Sequence, residues 1–69
     1  MTMSWRAART LLTDSGRGVN DAQDILEHLI HMGPGYRGWS VRVPEGGVAW
    51  LRYAGLSDTL QPEYTTEDN

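Results

Sequence analysis

Among side chains able to do chemistry, the arginines and tryptophans of residues 36–54 stand out. This stretch holds four of the six aromatic residues and three of the six arginines of a 69-residue chain. Trp50 has Arg52 two residues along, and Arg42 and Arg37 fall in the segment before it. A guanidinium over an indole face is held by the ring quadrupole, for about 0.5–1 kcal/mol when exposed and more when desolvated. Trp and Arg are also the side chains most enriched where a few residues carry most of a protein–protein binding energy. The chemistry on offer is recognition, with Trp50, Arg42, Arg52 and Arg37 as candidate partner-binding residues.

The other constellations are weaker. His28 and His31 lie three apart beside Glu27, a spacing that lets two imidazoles reach one ion. A tetrahedral site needs more ligands, and the chain has no further histidine and no cysteine. No metal and no cofactor is expected. Asp21, Asp24 and Glu27 are ordinarily a solvated helix face, with negative charge placed near the positive end of the helix dipole. Read functionally, the same acids mimic phosphate toward a nucleic-acid-binding partner, so they join the candidate partner-binding set. Gly33-Pro34-Gly35-Tyr36-Arg37-Gly38 has the glycine content of a phosphate loop. Such loops stand between a strand and a helix N-terminus, whereas here the helix comes first and presents its negative end. Nucleophiles are limited to serine and threonine, and neither histidine has a sequence partner with which to activate one. An enzyme is not expected.

A chain of this length supports one small domain with a marginal core, which an efficient packing, a homodimer or a partner must reinforce. Without cysteine, disulfides and thiolate-bound metals are excluded. No apolar run approaches the roughly 18–20 residues that span a bilayer, and no apolar segment follows the N-terminal residues as in a signal peptide. A soluble cytoplasmic protein is the default expectation. Lysine is absent, and the net charge of −3 is arranged in blocks. Residues 1–18 carry +2, residues 19–35 carry −3, the 36–54 stretch +2 and residues 55–69 −4. That weak overall acidity makes direct nucleic-acid binding unlikely, since such proteins present a basic surface.

The elements that must position these residues follow from their periodicity. Trp5, Ala8, Leu11 and Leu12 make one apolar stripe, which predicts a helix from Trp5 to about Ser15 with Thr2 or Ser4 as its N-cap. Ala22, Ile25, Leu26 and Leu29 predict a second helix, with Asn20 and Gln23 in capping-box spacing and Gly33-Pro34 as its stop. After Gly35 the period changes to two. Trp39, Val41 and Val43 alternate with Ser40 and Arg42, while Ala49, Leu51 and Tyr53 alternate with Trp50 and Arg52. Pro44-Glu45-Gly46-Gly47 supplies the turn of a hairpin.

Loop length decides which hairpin face is which, because a one-residue slip sends each side chain of a strand to the other side. A three-residue loop, Glu45-Gly46-Gly47 with Gly47 left-handed, opposes Val43 to Ala49, Val41 to Leu51 and Trp39 to Tyr53. It gathers the apolar residues on one face and leaves Ser40, Arg42, Trp50 and Arg52 on the other. A two-residue loop would instead carry Trp50 to the face of Trp39.

The expected fold is α+β: an N-terminal two-helix hairpin packed on a two-stranded antiparallel β-hairpin (ααββ), with an acidic flexible C-terminal tail. Residues 1–56 form the domain and 57–69 the tail, from which Leu56, Leu60 and Tyr64 are available to fold back on the core as a third strand or turn. Its core holds Trp5, Ala8, Leu12, Ile25, Leu26, Leu29, Trp39, Val41, Val43, Leu51 and Tyr53. In element order this is similar to a reduced winged helix. There the second helix enters the major groove, but here it carries Asp21, Asp24 and Glu27 and no arginine, which phosphate repulsion would punish.

The expected function is that of a small non-enzymatic protein-binding module. It is expected to be an inhibitor or accessory protein of phage or mobile-element type, anti-CRISPR-like or directed at other host machinery. It would act by blocking a larger host protein or nucleoprotein complex. The alternatives are a small nucleic-acid-associated regulator using the Arg/Trp hairpin face and a structural subunit of an assembly.

Overall fold

Two helices lie across one face of a four-stranded antiparallel sheet in the computed structural model, which describes residues 2–43, 45–55 and 63–68. The order along the chain is β1 (Thr2–Ser4), α1 (Trp5–Asp14), α2 (Val19–Met32), β2 (Trp39–Arg42), β3 (Val48–Tyr53) and β4 (Glu63–Asp68). Across the sheet the order is β1-β4-β3-β2, so β4 is central and β1 and β2 are the edges. The class is α+β, but the two-stranded ααββ arrangement is corrected to four strands.

Local chemistry accounts for both helices. The Ala7 N–H donates to Ser4 Oγ at 3.2 Å, so Ser4 is the N-cap of α1. At the other end the Ser15 N–H donates to the Leu11 carbonyl at 3.1 Å, and Gly16 turns the chain with a φ of 104°. α2 begins at Val19 with Gly18 as its cap and no side-chain capping bond. The Asn20–Gln23 capping box therefore does not form: Asn20 is already inside the helix, and the Gln23 amide donates down the helix to Glu27 at 3.5 Å. The stop is where Gly33 puts it, with a φ of 81° and its N–H shared between the Leu29 and Ile30 carbonyls at 3.1 Å.

The hairpin pairs Trp39 with Leu51, Ser40 with Trp50, Val41 with Ala49 and Arg42 with Val48. Its loop is shifted by one residue from the expected one. The Gly46 N–H donates to the Val43 carbonyl at 2.9 Å and the Val43 N–H to the Gly47 carbonyl at 3.4 Å, so Val43 stands opposite Gly47, and Gly46 and the expected Gly47 both have left-handed φ, 95° and 89°. The expected pairs of Val43 with Ala49, Val41 with Leu51 and Trp39 with Tyr53 are thus each displaced by two residues. A displacement of two preserves side-chain parity. Ala49, Leu51 and Val41 are buried on the helix side, and Ser40, Arg42, Val48, Trp50 and Arg52 take the other face.

The larger correction concerns the tail. Residues 63–68, expected to be flexible, form β4 between the first and third strands. Tyr53 stands opposite Tyr64 in β3, and Met3 opposite Tyr64 in β1. Residues 57–62 and 69, with Leu56 and Leu60, lie outside the described residues.

The reason β4 is held is Tyr64, which is fully buried with Ala8, Leu12, Ala22, Ile25, Leu26, Leu29, Val41, Ala49 and Leu51. Its ring meets Trp5 edge-on at 6.3 Å and Tyr53 at 6.0 Å. Trp5, Trp39, Val43 and Tyr53, expected inside, are only partly buried against this core. The Tyr64 hydroxyl has no hydrogen-bond partner among the described residues. Burial pushes the phenol well above its ordinary ionisation range, and Tyr53 nearby adds to the effect. No helix among the described residues is long and apolar enough to cross a membrane.

Candidate functional site

The helices cover one side of the sheet and leave the other open. On the open side β3 presents Val48, Trp50 and Arg52, β2 presents Ser40 and Arg42, and the neighbouring strands add Thr65, Glu63, Thr2 and Ser4. Trp50 lies between Ser40 on one side and the Glu67 backbone on the other, and is half-buried. What covers it is Arg37, whose guanidinium carbon stands 4.1 Å from the ring centroid. At that distance the cation sits on the negative face of the indole quadrupole.

Gly38 makes this stack possible. It has a φ of 104°, and a Cβ there would come within 2.4 Å of the Leu51 carbonyl oxygen and 2.7 Å of Arg52 Cβ. Only glycine lets the chain pass so close to β3 in a left-handed conformation. Strand alternation continued backward from Trp39 would send Arg37 to the helix side; the turn at Gly38 brings it over Trp50 instead. Sequence reading took these glycines as punctuation. The signal it passed over was a glycine between an arginine and the first strand residue.

The other arginines divide. Arg42, exposed and diagonal to Trp50 across the ladder, does not stack on it. Arg52 is half-buried opposite Thr65. A second cation–aromatic contact, absent from the sequence reading, places the Arg17 guanidinium carbon 5.7 Å from the Trp39 centroid. Arg17 and Arg42 also line a groove of about 440 Å³ between the α1–α2 turn and the edge of β2, together with Ser15, Gly16, Ser40 and Val41.

Asp21, Asp24 and Glu27 are exposed on α2, whose buried stripe of Ala22, Ile25, Leu26 and Leu29 turns toward the sheet. The acids therefore point away from the open face, and the fold does not join the acidic and arginine sets into one site. His28 is packed edge-on against Tyr36 at 5.4 Å between ring centroids. Among the described residues no three His, Cys, Asp or Glu side chains are grouped to hold an ion. Compared with family models, with curated proteins and with solved structures, the chain matches none.

Proposed function

We propose that this chain is a small non-enzymatic protein-binding module that acts by covering part of a larger protein or nucleoprotein complex, as inhibitors of phage or mobile-element type do. The observation carrying this reading is the Arg37–Trp50 stack on the open face of the sheet. An indole that the fold does not bury is a large, stiff contact area with few rotamers to lose on binding. The guanidinium lying on it is a fixed cation with donors left for a partner. Ser40 and Thr65 beside it are short enough to let a flat surface approach.

The test begins with the tagged chain as bait in a host lysate and identification of what it retains by mass spectrometry. Affinity for that protein is then measured by calorimetry for Trp50→Ala and Arg37→Ala, each checked for unchanged helix content. A loss of about tenfold or more in both, with Arg6→Ala unchanged, supports the reading. Binding indifferent to both substitutions overturns it. A salt-sensitive shift of naked DNA or RNA that Arg42→Ala and Arg52→Ala abolish would favour the nucleic-acid regulator instead.

A further inference from the structure

Among the described residues no further strand pairs with the outer edge of β2, and that edge carries a different kind of site. The Val43 N–H bonds to the Gly47 carbonyl, which makes that pair, and by alternation Val41–Ala49 and Trp39–Leu51, the bonded pairs of the ladder. The main-chain N–H and C=O groups of Ser40 and Arg42 are therefore directed outward from the sheet. Beside them runs the groove walled on its far side by Ser15, Gly16 and Arg17. A main-chain template with an adjoining side-chain groove is what strand addition requires.

We infer that the β2 edge accepts an extended acidic segment of a partner protein as a fifth strand, with apolar residues alternating with the acids. Charge selects the segment. Arg42, exposed on the open side, would face the acids of an added strand, while Arg17 stands at the groove on the side that takes its apolar residues. Next to Val41, the groove receives the apolar side chains of the same strand. A second copy of this chain is a poor occupant. A two-fold interface sets each patch against itself, so the Arg17 and Arg42 guanidiniums of both copies would meet along one seam. The site is separate from the Arg37–Trp50 stack and goes beyond the reading that rests on it.

The probe is a synthetic peptide, acetyl-Glu-Val-Glu-Val-Glu-Val-Glu-amide, with its lysine-for-glutamate counterpart as control, titrated into the purified chain at low salt. Binding should slow hydrogen exchange at the Ser40 and Arg42 amides and weaken as salt rises. Arg42→Glu should raise the half-saturating concentration at least about tenfold and transfer preference to the lysine peptide. Ser40→Pro removes an outward N–H that the β3 ladder does not use, so it should abolish binding with helix content and melting temperature retained. No protection at these amides, or equal binding of both peptides, overturns the proposal. So does protection that appears on concentrating the chain alone with a doubled sedimenting mass, which would give the edge to a second copy. The assay contains no natural partner, so its failure is distinguishable from failure of the Arg37–Trp50 reading.

Discussion

Leu51 and Trp50 are adjacent in one strand and belong to two different regimes. Leu51 faces the helices and is fully buried, within a layer where Ala49 and Val41 leave room for Leu26, Leu29 and Tyr64. Trp50 faces the other way, with one arginine as its roof. On the covered side, packing dictates the residue, since interiors are close-packed and a lost methylene is felt. On the open side that demand is weaker, since Trp50 is half-buried beneath the Arg37 guanidinium. In the proposed reading, the half-buried indole there serves a contact outside the molecule.

The contrast can be broken in several ways. Ending the chain at residue 62 removes β4 and leaves β1 and β3 with no strand between them; loss of cooperative urea unfolding is expected. A truncated chain that still unfolds in a sharp transition would show that the covered side does not depend on its central strand. Next in size, Leu51→Ala should lower the unfolding free energy by about 2–5 kcal/mol through the cavity it leaves. Trp50→Ala should cost less than about 1 kcal/mol, the scale of an exposed stack. Equal losses in the two variants would erase the distinction between the faces.

A pH experiment sharpens the covered side. Because the folded Tyr64 phenol ionises above its ordinary range, the unfolded chain gives up that proton first. The contribution is intact below pH about 10 and is lost as pH rises past it, at up to about 1.4 kcal/mol per pH unit from this one group. Tyr64→Phe should remove that share of the alkaline slope. At pH 7 it should be neutral or stabilising, since the hydroxyl it deletes lacks a partner among the described residues. A marked loss at pH 7 would show that the hydroxyl is bonded after all. An effect on the scale of the stack alone is expected of Arg37→Ala, about 0.5–1 kcal/mol with a red-shifted Trp emission as the indole loses its cover. An unchanged spectrum would remove the stack from solution.

What the sequence made legible was local. Ser4 as a cap, Gly33 as a stop and the parity of the hairpin faces each depend on residues close together in the chain. Parity survived a wrong loop position because a shift of two residues is invisible to it. β4 was hidden for a physical reason. Glu63-Tyr64-Thr65-Thr66-Glu67-Asp68 offers a single large apolar residue, and a strand flanked by acids does not announce itself through alternation. Its position comes from partners on both sides that local patterning cannot reveal. The Arg37–Trp50 contact was half legible. Both residues were candidates, but Arg42 and Arg52 were nearer in register, and the close approach at Gly38 that decides between them is visible only in three dimensions.

The central position of β4 also fixes the order in which the molecule can be assembled. The hairpin closes over a short loop and the helices are local, all events of microseconds or less. β4 meets β3 over a short span, with Tyr64 opposite Tyr53, and only its pairing with β1 is distant, as in the contact of Met3 with Thr66, 63 residues apart. Such closure is entropically late and sets the folding rate. Arg37, Trp50 and Tyr64 therefore all belong to the early part, and Met3 in β1 to the late one. By this argument the Arg37–Trp50 stack can exist before β1 docks, while the outer edge of β4 is still open to a strand from another chain.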